Sequence, residues 1–269
     1  MPNYFAHITF GRQVRNKLPS ALRASLERER PAFDLGCLGP DILFFYHPLT
    51  RNPARLEGLE MHKRSALPVF QRLRAAVEEK MPMSRGYAAG FLCHLALDSA
   101  CHPYVNGKAA QGEITHLAIE AEFDRLLMER SGLDTSRAHM PELPGGQAYR
   151  AAARAYTQAG PKKVEQGFLA MRRDTELLAR LYGTGLGRLA DRVCHWAGPL
   201  KGAAGVVLAA EPAPACADSN PVLMSLLEET VPVAAEQIRR FFEAAESGAP
   251  PDKWLDRDFS GVVYAAAGS

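Results

Sequence analysis

Apolar residues along this chain recur at the three- and four-residue intervals of amphipathic helices. The pattern is clearest in 19–30, 62–80, 120–130, 175–196 and 219–248, where side chains would return to one helix face every turn. Alternation with a period of two, which is typical of strands, is scarce. Ala, Leu, Glu and Arg, which are good helix formers, are frequent. The pattern therefore predicts an all-α protein.

Clusters of Pro and Gly interrupt this helical pattern without dividing it into separate domains. The clearest cluster is MPELPGGQ at 140–147, a composition that breaks helices. A chain of 269 residues, of which 47% are hydrophobic, is long enough to bury one sizeable core. We therefore predict a single helical domain over 1–269, with a half rich in metal-ligand residues (1–139) and a helical C-terminal half (140–269).

The segment 86–102 predicts a helix that is apolar almost all round and therefore buried. It nevertheless carries His94, Asp98 and His102. Residues four positions apart lie on one helix face, so these three side chains form a polar stripe. Burying them without partners would be unfavourable. Pro103 follows directly, and we expect the helix to end there.

A second helix is expected to begin near Thr115, because threonine caps helix N-termini. His116, Glu120 and Asp124 repeat the four-residue spacing on this helix. Two helices joined by about a dozen residues can pack antiparallel and face both stripes into one cleft. Each stripe alone is also compatible with ordinary, satisfied polar residues. Together they favour a zinc site, since histidine nitrogens and carboxylate oxygens are zinc ligands.

Charge and cysteine content narrow the class of function. The 32 basic and 30 acidic residues leave a net charge of +2, and aromatic residues are 8%, so no nucleic-acid partner is expected. Five cysteines without a C-x-x-C pair favour a reducing compartment.

We see no secretory signal or membrane-spanning run and expect a cytoplasmic protein. Cys93 and Cys101 lie within the histidine run, and a buried apolar role is favoured over zinc binding.

Four stretches in the first half of the chain carry a family resemblance. They read LGCLGPDILFFY (35–46), LEMHKRS (59–65), GYAAGFLCHLALDSACHPYVN (86–106) and THLAIEAEFD (115–124). In this order they resemble the zinc-dependent phospholipase C family, whose fold is shared with the fungal single-strand nucleases. The resemblance implies a mostly helical domain that holds two or three zinc ions.

Carried over position by position, the resemblance also implies the metal ligands. The first zinc would be held by Asp41, His62, His94 and Asp98. The second would be held by His102, His116 and Glu120. The third would be held by His7, with Asp98 bridging to the first.

Further roles follow from the same resemblance. The family's general base is a carboxylate at the metals, and the matching positions are Asp41 and Glu120. Asp124 matches an acidic position behind the ligands, where we expect it to orient the imidazoles. Secreted members cap the third zinc with an N-terminal tryptophan, for which Pro2 would substitute here after removal of Met1.

The implied function is zinc-dependent phosphodiester hydrolysis of the phospholipase C type, because zinc activates water and neutralises phosphate charge. The implied substrate is a phospholipid or another phosphodiester, and peripheral contact with a membrane is one expectation. Phe44, Phe45 and Tyr46 line a lipid or base pocket in one interpretation and belong to the core in the favoured one. Two alternatives stay open: a nuclease or nucleotide phosphodiesterase, and a metal-stabilised helical binding protein without turnover. The sequence indicates no oligomeric state.

Overall fold

The computed structural model describes residues 4–181 and 212–264. Its α-helices are Tyr4–Lys17 (α1), Ser20–Arg28 (α2), Arg30–Cys37 (α3), Pro53–Met61 (α4), Leu67–Glu78 (α5), Ser84–Ala109 (α6), His116–Arg130 (α7), Gly146–Ala153 (α8), Pro161–Leu181 (α9) and Ser219–Ser247 (α10). Short 3₁₀ helices run Gly39–Phe45, Pro214–Cys216 and Lys253–Leu255. Within these ranges, β-type pairing is confined to one isolated antiparallel bridge, between Arg257 and Val263. The all-α class predicted from the sequence is confirmed.

Helix α6 lies at the centre of the fold. It contacts α1, α3, α5, α7, α8 and α10, and every residue from Gly86 to Ser99 is buried. A helix surrounded in this way needs an apolar surface on all sides, as its sequence shows. Its polar residues His94 and Asp98 therefore lie in the protein interior.

Helices α3 and α6 approach each other at a distance that only glycine permits. A Cβ atom added at Gly90 would lie 2.0 Å from the carbonyl oxygen of Phe33, and one at Gly36 would lie 2.4 Å from that of Tyr87. The two backbones are therefore in direct contact, with no side chain between them at these positions.

Pro103 does not end α6, so this prediction from the sequence is wrong. The helix continues to Ala109, and only 110–115 connect it to α7. Proline removes one helical hydrogen bond and crowds the preceding turn. Val105, beyond the proline, is buried against the core, and tertiary packing of a helix face outweighs such a local cost.

Helix α7 returns alongside the end of α6. Thr115 caps it as predicted, its hydroxyl oxygen accepting a hydrogen bond from the backbone N–H of Ala118 at 3.2 Å. His116 then contacts Asn106 of α6. The two polar stripes therefore meet along antiparallel helices, as the sequence predicts.

Two sequence-based predictions extend beyond the residues that the structure describes. The helical pattern of 175–196 is described only up to Leu181, inside α9, and Pro2 lies outside the described residues. No described helix is both long and apolar enough to cross a lipid bilayer.

Candidate metal centre

The carboxylate of Asp98 lies at the centre of a histidine cluster. Its Oδ2 atom lies 3.2 Å from Nε2 of His94 and 3.8 Å from Nε2 of His62. Its Oδ1 atom lies 3.1 Å from Nε2 of His7 and 3.7 Å from Nε2 of His102. The two oxygens thus face different pairs of imidazoles.

Asp41 completes the side of the cluster that Oδ2 of Asp98 faces. Its Oδ1 atom lies 3.0 Å from Nε2 of His62 and 3.9 Å from Nε2 of His94. Asp41 enters the site because Gly39, two residues earlier, has φ = +54°, a conformation that favours glycine. A Cβ atom at Gly39 would lie 2.4 Å from the His94 ring, so the backbone can pass close to that ring only with glycine there.

His102, His116 and Glu120 form a second group where α6 and α7 meet. The Oε1 atom of Glu120 lies 2.8 Å from Nε2 of His116 and 3.3 Å from Nε2 of His102. The ligand atoms of the three residues all lie within 4.8 Å of one another. Since zinc binds nitrogen and oxygen ligands at about 2.0–2.2 Å, one ion can contact all three.

Four of the imidazoles are held in place by oxygen atoms behind them. The Nδ1 pairs are His62 with the carbonyl of Gly58 (2.9 Å), His94 with that of Cys37 (3.0 Å), His102 with that of Phe259 (2.7 Å) and His116 with Oδ1 of Asn106 (2.9 Å). A carbonyl oxygen only accepts hydrogen bonds, so Nδ1 carries the hydrogen. The Nε2 lone pair then faces the cluster, as in histidines that bind metals.

His7 reaches the cluster from α1, and Asp124 holds that helix in position. The His7 ring stacks on the ring of His94 with 4.1 Å between centroids. The carboxylate of Asp124 accepts hydrogen bonds from the backbone N–H groups of Ala6 at 2.8 Å and Phe5 at 3.1 Å. These donors belong to the first turn of α1, which lacks partners within the helix. Asp124 thus bears on the imidazole of His7 through the backbone of α1, and its expected role in orienting the imidazoles stays a prediction.

Replacing Asp124 by Ala should lower the free energy of unfolding by about 2 kcal/mol, because two buried N–H groups lose their acceptor. We also expect the zinc that depends on His7 to be lost. Urea denaturation and zinc content per chain measure the two effects. Glu129→Ala, a half-exposed carboxylate on the same helix, is the control. Full zinc content in the Asp124→Ala protein would contradict the proposed link between α1 and the site.

Several buried atoms of the cluster lack hydrogen-bond partners among the described residues. They are Nδ1 and Nε2 of His7, Oδ1 of Asp41 and Nε2 of His94. The short distance between His7 and Asp98 does not have the direction of a hydrogen bond. Buried polar atoms without partners are unfavourable, yet His7, Asp41 and His94 bring ligand atoms within 4.8 Å of one another. Cations bound here would satisfy one lone pair on each of these three residues, so the residues fit zinc.

The electrostatics of the cluster also favour a bound cation. Burial lowers the pKa of His7 below its ordinary value, which keeps the ring neutral. Burial opposes protonation of His102 as well, but Asp98 and Glu120 raise its pKa to about 10. Burial would raise the pKa values of Asp98, Asp41 and Glu120, but neighbouring imidazoles lower all three. Three carboxylates thus lie in a buried site, and the positive charge that they need is supplied by protonated imidazoles or, in their place, by a bound cation.

No sequence pattern predicts one contribution to the cluster. Phe259 supplies the carbonyl that holds His102, and its ring lies 4.8 Å from that of His62 and 5.5 Å from that of His94, between centroids. A backbone carbonyl has no signature in a sequence, and no residue pattern around 259 points to the site.

Of the aromatic residues at 44–46 and the two cysteines in the histidine run, one aromatic residue lies at the site. The Phe44 ring lies 5.1 Å from the ring of His62, whereas Phe45 and Tyr46 pack against the core. Cys93 is fully buried. Neither it nor Cys101 belongs to a metal-type group in the part of the chain that the structure describes, in agreement with the favoured apolar role.

Comparison with known proteins gives one match. The model of a family described as zinc-dependent phospholipase C matches residues 6–165, which is more than half of the chain. No curated protein and no solved structure matches this chain. The matched range contains all eight candidate ligands and excludes Phe259.

Proposed function

The chain belongs to the zinc-dependent phospholipase C family, and on this premise we propose that it hydrolyses phosphodiester bonds of phospholipids with two or three zinc ions bound. The observation that carries the proposal is the convergence of eight side chains, of which Asp98 is the central one. We call them the metal cluster: His7, Asp41, His62, His94, Asp98, His102, His116 and Glu120. A cytoplasmic location stays a prediction from the sequence.

The distances support a division of the metal cluster among the ions. We assign the first zinc to Asp41, His62, His94 and Oδ2 of Asp98. We assign the second to His102, His116 and Glu120. The third would be held by His7 and Oδ1 of Asp98, which lie 3.1 Å apart.

Zinc bound at these residues supplies an acidified water molecule and neutralises charge on the phosphate. Asp41 and Glu120 are the proposed bases. Against the effect of burial, neighbouring imidazoles lower the pKa values of both carboxylates, which keeps them ionised near neutral pH, and only the ionised form can accept the proton of the attacking water. The Nε2 contact to His62 orients Asp41, and the contact to His116 orients Glu120.

Substrate would approach where the metal cluster is most exposed. The side chains of His116 and His62 are 34% and 17% exposed, whereas that of His94 is 0% exposed. Phe44 lies beside His62. An apolar ring next to an accessible ligand suits a substrate that carries lipid chains beside its phosphate, which favours a phospholipid.

Zinc reconstitution tests this function. Protein stripped with a chelator and reloaded with zinc should hydrolyse phosphatidylcholine vesicles and a chromogenic phosphodiester. His116→Ala should lower the rate by about a hundredfold or more, because it removes a ligand from a site that supplies several kcal/mol to the transition state. His47→Ala, a change in an exposed loop, is the matched control and should retain full activity.

The other outcomes identify the alternatives. Cleavage of single-stranded DNA but not of vesicles would replace the phospholipase proposal with a nuclease. Two or three zinc ions per chain without cleavage of any phosphodiester would indicate a metal-stabilised binding protein.

A further inference from the structure

The last described segment of the chain lies across the metal cluster although it is outside the family match. We call residues 256–264 the C-terminal strap. Phe259 is its buried residue at the cluster, where the carbonyl holds Nδ1 of His102 and the ring packs against His62 and His94. The strap therefore contacts ligands of the first zinc, His62 and His94, and a ligand of the second, His102.

The ends of the strap are fixed to the residues that follow ligand His62. The carbonyl of Arg257 accepts a hydrogen bond from the backbone N–H of Ala66 at 2.8 Å. The hydroxyl of Tyr264 donates to the carbonyl of Lys63 at 2.9 Å. The strap thus connects the chain next to His62 with His102 on α6, two ligands that the assignment gives to different ions.

The middle of the strap is a tight turn that packs against α6. The Oδ1 atom of Asp258 accepts hydrogen bonds from the backbone N–H groups of Ser260 and Val262, each at 2.9 Å. Gly261 has φ = +83°, and a Cβ atom there would lie 2.6 Å from the carbonyl oxygen of Ser99. Proline at 103 leaves that carbonyl without its usual helical donor. The turn fits here because position 261 has no side chain.

We propose that the C-terminal strap is a positioning element of the metal cluster and that its docking and zinc binding stabilise each other. Phe259 is the positioning residue. Its carbonyl keeps the hydrogen of His102 on Nδ1, which leaves Nε2 as the ligand atom, and partners of this kind contribute about 10- to 100-fold to metal affinity. Because coupling between two equilibria is reciprocal, zinc also holds the strap in place. This inference rests on the proposed zinc site.

Substituting Gly261 by Ala tests the coupling, because the added Cβ would displace the turn from α6. We expect the affinity for one zinc ion to fall by about 10- to 100-fold, measured by competition with a chromogenic chelator in the full-length protein. Gly248→Ala is the matched control. Gly248 also has a positive φ, +74°, but an added Cβ there meets open space, so zinc affinity should be unchanged. Thermal unfolding followed by circular dichroism checks that both variants are folded.

The unaltered protein provides a second measurement. Zinc should slow tryptic cleavage after Arg257 by about tenfold or more, because cleavage requires local opening of the strap. Cleavage after Arg137, in an exposed segment, should not depend on zinc. Equal zinc affinity in the two glycine variants, or zinc-independent cleavage after Arg257, would overturn the inference. Neither measurement uses a substrate, so a protein that binds zinc without hydrolysing phosphodiesters refutes only the proposed function.

Discussion

The Asp98→Asn protein is expected to lose at least about a thousandfold in phosphodiester hydrolysis, together with at least one zinc ion per chain. The two oxygens of Asp98 lie within 3.8 Å of four different imidazoles. The amide keeps the shape but removes the negative charge, and it turns a donor N–H₂ group toward a cation. A loss of about 4 kcal/mol in the transition state, within the range that metal ions supply, corresponds to about three orders of magnitude in rate.

Zinc content by elemental analysis and the rate on a chromogenic phosphodiester measure this prediction. Asp34→Asn is the matched control, since Asp34 also lies on a packed helix, α3, but pairs with Arg30 outside the metal cluster. Its zinc content should equal that of the unaltered protein. If Asp98→Asn kept full zinc content and a rate within tenfold of the original, the central bridging role of Asp98 would be wrong.

The Gly90→Ala protein is expected to lose about 3 kcal/mol or more of its free energy of unfolding, because overpacking at a backbone contact forces two helices apart. The added Cβ would lie 2.0 Å from the carbonyl oxygen of Phe33 and 2.8 Å from the backbone nitrogen of Cys37. Backbone atoms cannot rotate away as a flexible side chain can. Separation of α3 from α6 would also withdraw the Cys37 carbonyl from His94, so zinc affinity should fall as well.

Gly107, on the same helix α6, provides the control for this substitution. A Cβ atom at Gly107 meets nothing within 4 Å, so Gly107→Ala should stabilise the helix by up to about 1 kcal/mol through propensity alone. Chemical denaturation of both variants gives the comparison. Equal stability of the Gly90→Ala and Gly107→Ala proteins would show that the close approach of α3 and α6 is not required.

Much of the metal cluster could be predicted because it follows from helical spacing. His94, Asp98 and His102 are four residues apart, and so are His116 and Glu120; the period of an α-helix then places each set on one face. His7, Asp41 and His62 have no such pattern. Each is a weak candidate alone, and only the resemblance to the family adds it to the set.

A tertiary contact overrode one local preference, and the spacing of a second residue left its bonding partner open. Pro103 is a helix breaker by its own chemistry, yet the packing of α6 carries the helix through it. Asp124 follows Glu120 at the four-residue spacing of the metal ligands. Its carboxylate, however, accepts hydrogen bonds from the backbone N–H groups of Phe5 and Ala6 in the first turn of α1.

By itself, the amino-acid sequence determined the helical class, the central buried helix and the two polar stripes, since these depend on periodicity and on the cost of burying unpaired polar groups. Only the tertiary structure decided that His7, Asp41 and His62 meet Asp98, and that Phe259 closes the cluster from the far end of the chain. Such contacts depend on how closely helices approach and on where backbone carbonyls point. The spacing of residues along the chain predicts neither of these.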